Sequence, residues 1–326
     1  MRIALITDPR GMDYPVSIYE PYYESLLHVA DNIADAIIGL GHKFEHFLAD
    51  HNLYDELIRF DPNLVFNRST RENSDRRFAF TPQLLDHLSI PYTGPNAQNC
   101  VTAYNKYLTK KVLQYLEIST PKFALIDNPK VIQNIDNLSF PLLVKPVMGG
   151  SSLGIEGENL VFTKKSCQII CSILRKNFDR PVIVEEFLNG REFTVGILGN
   201  ETPKALPILE FINFSNGDYY FRSFTSKMVM SEYEKKSCPA LISKQEKNKI
   251  ITLALRAYKA LGCRDYARID IRFDKNNTPH VLEVNAFPSL ISDGSSFALM
   301  AAVAGLSFMD LIDKILSIAS KRNVYR

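Results

Sequence analysis

The sequence has no excess of charge of either sign. Against 36 Asp and Glu stand 38 Lys and Arg, a formal net charge of +2, with an isoelectric point near 8.1. That balance points to neither nucleic acid nor an acidic membrane as partner. No apolar run is long enough to cross a bilayer. The opening MRIALITD lacks the regions of a signal peptide and reads as a first β-strand. Cys100, Cys167, Cys171, Cys238 and Cys263 are odd in number and include no CxxC pair. This disfavours a disulfide framework or a zinc site and suits a reducing cytoplasm. Cys167 and Cys171 lie four apart in an expected helix and read as semi-buried thiols. The six histidines are scattered without a metal or triad pattern. After the first strand comes Asp8-Pro9-Arg10-Gly11 rather than GxGxxG, so a dinucleotide fold is disfavoured.

What is present describes an ordinary globular chain, 46% hydrophobic and 23% charged, long enough at 326 residues for two or three subdomains. Strands are expected at 2–7, 42–48 and 63–67, alternating with helices at 22–40, 53–60 and 78–88. That βαβα order implies a parallel sheet covered by helices. A boundary is expected at 95–99, then a helix at 103–116. Strands follow at 142–147 and 182–186, and strands predominate at 193–198, 205–211 and 219–221. Helices at 243–261 and 309–319 complete the pattern. The fold class is α/β, α+β overall.

The segment from Asp265 to Leu290 reads DYARIDIRFDKNNTPHVLEVNAFPSL. A two-residue turn at Asn276-Asn277 would set Asp270 opposite Glu283 and Arg268 opposite Asn285 on one face. Ile269 opposite Val284 and Ile271 opposite Leu282 would form the apolar face. Opposed carboxylates repel, and a divalent cation resolves the conflict. Asp, Glu and Asn offer the hard oxygen donors that suit magnesium. By itself the hairpin also fits a surface location with its charges solvated or paired with Arg268.

Two further segments carry chemistry. In FPLLVKPVMGGSSLG, Phe140 to Gly154, a strand delivers Lys145 and a flexible Gly-Gly-Ser-Ser loop follows. Glycines let backbone N–H groups approach a phosphate, and the lysine supplies a point charge. The residues fit a tight loop with a snorkelling lysine equally well. In RPVIVEEFLNGREFTVGILGN, Arg180 to Asn200, a buried strand ends at Glu185-Glu186-Phe187-Leu188 before Glu192 opens the next. Such a strand end can pair with an adenine edge, with acids for ribose hydroxyls; a hairpin with solvated acids fits too.

Taken in order, Lys106, VKPVMGGSS, VEEFLNGREFTV and ARID…LEVN resemble the ATP-grasp superfamily, and within it the D-alanine–D-alanine ligase family. NLVFN, IPYTG and KYLTKKVLQYLEISTP are secondary matches. The resemblance runs over most of the chain and implies a pre-ATP-grasp parallel α/β domain at 1–95. It implies a central ATP-grasp subdomain at 96–185 and a C-terminal one, with the magnesium hairpin, at 186–326. It further implies that Lys106 and Lys145 contact phosphates under a loop of Gly149, Gly150, Ser151 and Ser152, with Ser151 in a catalytic role. Glu185, Glu186, Phe187 and Leu188 would frame adenine, and Glu192 the ribose. Asp270, Glu283 and Asn285 would hold two magnesium ions, with manganese as a substitute. Arg268 would stabilise the tetrahedral species. Lys227 is the best match to a further phosphate lysine, with Arg222 in competition.

The implied activity is ATP-dependent ligation of a carboxylate, an amino acid or a similar acid, to an amine through an acyl phosphate. ATP-grasp phosphotransfer and nucleotide binding without turnover are the alternatives. The implied partners are small molecules, with a homodimer in the cytoplasm. The departures from the family lie on the amino-acid side. The stretch from Asp8 to Ser17 lacks the expected glycine pair and Ser-x-Glu segment, with Glu20 and Glu24 nearby. Arg68-Ser69-Thr70-Arg71 replaces His-Gly and an acidic glycine-rich loop, and Arg68 and Arg71 read as carboxylate ligands or as solvated arginines. Met228 replaces a tyrosine. Asn285-Ala286-Phe287-Pro288-Ser289-Leu290 replaces Asn-x-x-Pro-Gly-Met. Ser295 and Ser296 are candidates for the serine that holds the second substrate's carboxylate.

Overall fold

The computed structural model describes residues 1–9, 16–69, 79–130, 132–149, 152, 154–213, 219–223 and 234–322. The N-terminal sheet is parallel, with β1 (Arg2–Thr7) between β2 (Lys43–Leu48) and β3 (Leu64–Asn67). Ile3 to Ile6 are fully buried, as an apolar strand covered on both faces must be. The covering helices include α1 (Val16–Gly39), α2 (Leu53–Phe60) and α3 (Phe80–His87). In α2 the spacing of Leu53, Leu57 and Phe60 turns one stripe inward, and Asp61 ends the helix at φ +50°.

The expected helix from Ala103 to Leu116 is instead a pair, α4 (Ala97–Tyr104) and α5 (Lys106–Tyr115). Asn105 breaks the run at φ −95°, ψ 101°, and its side chain caps α5 by accepting from the Leu108 N–H at 3.0 Å. Asn96 caps α4 the same way. The break sets Lys106 at the first position of a new helix.

An antiparallel sheet follows in the order β4-β7-β5-β6: β4 (Phe123–Ile126), β5 (Leu142–Pro146), β6 (Leu160–Val161) and β7 (Val182–Glu186). Helix α6 (Lys164–Phe178) covers it with Cys167, Cys171, Leu174 and Phe178, so the two cysteines are core residues.

The largest sheet runs β11-β10-β8-β12-β13, with β9 (Lys204–Ala205) also on β8. Its other strands are β8 (Glu192–Leu198), β10 (Leu209–Asn213), β11 (Glu234–Ser237), β12 (Tyr266–Phe273) and β13 (Pro279–Asn285). Helix α7 (Lys244–Ala260) packs on it, opened by a reciprocal Ser243–Glu246 cap. Helices α8 (Ser296–Val303) and α9 (Phe308–Ser320) close the core shared with the N-terminal sheet. Tyr219–Phe221, expected as a strand, is irregular: its rings pack around Phe187 instead of joining a ladder.

The β12–β13 hairpin differs from expectation twice, and the differences cancel. Its turn is Lys275-Asn276-Asn277, one residue longer than expected. The Asp274 N–H donates to Thr278 O, the Asn277 N–H donates to Asp274 O, and Asn277 sits at φ +59°. The Asp274 carboxylate gathers the N–H groups of Asn276 and Thr278 at 2.9 Å. A bulge then shifts the register between Asp270 and Ile271, so Ile271 faces Val281 rather than Leu282. Beyond it Asp270 faces Glu283, Ile269 faces Val284 and Arg268 faces Asn285, as the sequence suggests.

Candidate active site

A cleft opens between the β4–β7 sheet and the β8–β13 sheet. It is lined by Lys106, Leu143, Lys145, Ser152, Ile155, Glu185, Glu186, Phe187, Leu188, Glu192, Phe221, Arg222, Asp270, Arg272, Leu282 and Glu283. Residues far apart in sequence thus meet because five sheet strands, the start of α5 and three loop segments point into one gap.

The floor is ionic. On β5 and β7, Leu143 pairs with Glu185 and Lys145 with Ile183, which makes Lys145 and Glu185 diagonal neighbours on one face. Lys145 Nζ binds Glu185 Oε1, and Lys110 Nζ lies 2.8 Å from Oε2. The second contact is ionic rather than an aligned hydrogen bond. Burial alone would raise the Glu185 pKa, but the two ammonium groups outweigh it and hold the carboxyl at about 2. Burial lowers the pKa of Lys110, and the Glu185 charge opposes that shift.

Above the floor, Lys106 Nζ donates to Gly149 O at 2.6 Å, and Lys106 N–H donates to Val147 O. Gly149 has φ +104°, a conformation in which a side chain would be strained. Ser152, at φ +62°, donates through Oγ to Arg222 O at 3.0 Å. Arg222 pairs with Glu234 at 2.8 Å and stacks on Phe211. Gly150, Ser151 and Lys227 lie outside the described residues.

At the apolar end, Phe187 meets Tyr219 and Phe221 edge-on. Arg272, buried, donates to Gly190 O and Tyr220 O, lies over the Phe187 ring and sits 3.6 Å from Glu192. Glu186 turns its carboxylate to the Ser139 N–H at 2.9 Å. Leu282, the bulge residue, shares the cleft face with Glu283. Sequence reasoning missed Lys110, Arg272, Phe221 and Leu282. For Lys110 the available signal was its place four residues after Lys106, on the same face of a helix.

The polar face of the hairpin is tightly bonded. Asp270 accepts from Arg268 Nε and Nη2 at 2.9 Å each, from Asn285 Nδ2 at 2.9 Å and from Thr194 Oγ1 at 2.6 Å. These four donors fill the lone-pair positions of one carboxylate. Among the described residues no three His, Cys, Asp or Glu side chains converge on one point. The set here is two carboxylates and an amide, all hard oxygen donors, and it fits magnesium on one condition. One donor to Asp270 must give way, and rotation of the Asn285 amide does this while turning its own oxygen inward.

The acceptor side departs from the sequence reading. Arg68 is half-buried: it donates to Tyr266 OH at 3.3 Å and to the Pro288 and Phe287 carbonyls, and lies over the Phe287 ring. It therefore fixes the loop after Asn285 to the end of β3. Ser295 Oγ donates to Ile291 O and accepts from Ala298 N–H, capping α8. Glu24 is exposed. Arg71, Met228 and the side chain of Glu20 lie outside the described residues.

The D-ala D-ala ligase C-terminus family matches residues 108–317. The chain is 32% identical to a D-alanine–D-alanine ligase of Carboxydothermus hydrogenoformans over 90% of this chain and 93% of that one. It belongs to the D-alanine–D-alanine ligase family. It is thus an ATP-grasp ligase of the ADP-forming class. It is also 30% identical to an uncharacterized protein of Sinorhizobium fredii over 99% of this chain and 98% of that one. The D-alanine–D-alanine ligase of Bacillus anthracis, also solved in complex with ATP, shares the fold. Its TM-score is 0.76 at 22% identity, over 98% of this chain and 97% of that one. The VanG D-Ala:D-Ser ligase of Enterococcus faecalis matches at a TM-score of 0.71 and 22% identity, over 98% and 99%.

Proposed function

We propose that this ligase uses magnesium and ATP to activate an amino acid, or a similar small carboxylic acid, as an acyl phosphate, and passes the acyl group to an amine. The observation that carries the reading is one cleft lined by Lys106, Lys145, Glu192, Asp270 and Glu283. A carboxylate is a poor electrophile, and phosphorylation supplies a leaving group. In this reading Lys106 and Lys145 hold the phosphates, Glu192 the ribose, and Phe187, Leu188 and Leu282 cover the adenine. Glu186 and the backbone of Phe187–Leu188 form its hydrogen-bonding edge. Asp270, Glu283 and Asn285 would hold magnesium, whose bound charge offsets that of the transferred phosphoryl oxygens. Arg268 is oriented by its bidentate hold on Asp270, which leaves Nη1 to stabilise the oxyanion formed when the amine attacks. Gly149 to Ser152 would close over the phosphates and exclude water, with Ser151 and Lys227 contributing contacts.

The substrate pair is a divergent one, not simply two D-alanines. Arg68 now occupies the end of β3 and locks the Phe287–Pro288 loop, so this end of the site is shaped differently from the family pattern noted above. The enzyme is proposed to act as a homodimer in the cytoplasm. Among the described residues no helix is long and apolar enough to cross a membrane.

The test is magnesium-dependent release of ADP and phosphate with pooled D- and L-amino acids, with mass spectrometry of the products. Stimulation by one pool with an amide-linked product is the expected result. A phosphorylated product without phosphate release would overturn the amide-forming step, and nucleotide binding with no stimulation by any pool would overturn amino acids as the substrates.

A further inference from the structure

The cleft floor contains a cation that cannot touch a nucleotide. Lys110 is 1% exposed and does not line the cleft, yet it holds Glu185 Oε2 at 2.8 Å. It also donates to Thr120 Oγ1 at 2.9 Å, and Thr120 in turn donates to Val281 O at 2.8 Å. Val281 N–H donates to Ser119 O, so both backbone groups next to the Leu282 bulge are tied to the segment that Lys110 holds.

Charge counting gives this arrangement a consequence. Lys145 faces the cleft, but its ammonium group is already paired with Glu185. With only those two groups the pair would sum to zero, and the lysine offered to a phosphate would be neutralised by its own carboxylate. Lys110 brings the sum of the three groups back to +1. A buried lysine is costly unless it has a charged partner, and Glu185 is that partner.

We infer that Lys110 is a positioning residue that satisfies the Glu185 carboxylate from below, so that Lys145 keeps its net positive field for the nucleotide phosphates. The inference rests on the ATP reading above. Lys110 acts through Glu185, and its effect belongs to phosphate recognition and not to adenine binding.

The test compares ATP and adenosine binding, by titration calorimetry or competition, in wild type, Lys110→Met, Lys110→Arg and the double variant Lys110→Met with Glu185→Gln. Lys110→Met is expected to weaken ATP on the order of tenfold or more, the size of one unscreened charge at this range, and to leave adenosine unchanged. Lys110→Arg, which keeps the charge, is expected to stay near wild type. The double variant removes the carboxylate that neutralises Lys145 and is expected to restore ATP binding. Equal losses for ATP and adenosine would overturn the inference, because they would mark a structural role. So would a double variant as weak as Lys110→Met. If Lys110→Met does not fold, the double variant decides alone: ATP binding tenfold below wild type overturns the inference. Failure of wild type to bind ATP at all would instead refute the functional reading.

Discussion

Glu283 stands directly across the ladder from Asp270, and Leu282 beside it is the residue that the bulge leaves unpaired. The pairing puts two carboxylates on the cleft face of the sheet while Val281 and Val284 stay in the core. Asp270 is fully engaged by Arg268, Thr194 and Asn285, so Glu283 is the carboxylate best placed to receive a cation first. Glu283→Gln keeps the shape and removes the charge. Turnover is expected to fall on the order of a hundredfold or more, the size seen when a charge-stabilising group is lost from an active site. Thermal unfolding should change little. ADP release at saturating magnesium measures the effect, and wild-type turnover would remove Glu283 from the site.

Leu282 faces the cleft instead of the core. Leu282→Ala is therefore expected to leave stability near wild type while raising the KM for ATP roughly three- to tenfold, the worth of partly burying one leucine. In the proposed reading that contact would be made to substrate and transition state alike, so kcat should hold. Steady-state kinetics at varied ATP separates the two, and a fall in kcat at unchanged KM would place Leu282 elsewhere.

How far the sequence reveals this site depends on what kind of signal each residue carries. The facing of Asp270 and Glu283 follows from strand alternation, and it survives because the longer turn and the bulge offset one another. Neither is legible separately: Asn276-Asn277 suits a two-residue turn as well as a three-residue one, and a bulge has no fixed residue type. Asn105 did carry a signal, since asparagine favours helix starts, but an apolar pattern continuing on both sides hid the break. Lys110 was hidden for a different reason. In the run Thr109-Lys110-Lys111 a lysine reads as solvated, and only the strand partner Glu185, 75 positions away, makes it a core residue. Arg68 shows the same limit: its partners, Tyr266 and the Phe287–Pro288 carbonyls, come from the other end of the chain.

Glu185 also makes stability depend on pH. Its pKa is held at about 2 in the folded protein, against an ordinary glutamate value of 4.5. A depressed folded pKa means that the unfolded chain binds the proton first. Its contribution is thus complete above pH 4.5 and is lost as pH falls toward 2. The stability difference between wild type and Glu185→Gln should narrow through that window, by at most about 1.4 kcal/mol per pH unit. Denaturant titrations at pH 6 and pH 3.5 measure it. A difference independent of pH would show that the two lysines do not hold this carboxylate ionised.

The last relationship joins the N-terminal sheet to the rest. Asp265 is fully buried at φ +64°, where it accepts from Gly94 N–H at 2.8 Å and Asn200 Nδ2 at 2.9 Å. Arg322 Nε lies 3.2 Å from the same carboxylate, and Arg264 donates to Gly94 O at 2.9 and 3.0 Å. The segment that leaves the first sheet is thus held by a charge at the head of β12, and its removal leaves the half-buried Arg322 without its carboxylate. Asp265→Ala is expected to cost about 3–5 kcal/mol, the usual effect of breaking a buried pair, with added strain from alanine at positive φ. Asp265→Asn tolerates that backbone and keeps one acceptor, so its loss should be smaller. Because the cleft residues lie elsewhere, nucleotide affinity of the folded Asp265→Asn protein should stay near wild type. Equal destabilisation by Ala and Asn would assign the whole effect to the lost charge, and no destabilisation by either would show that this buried pair does not hold the two parts together.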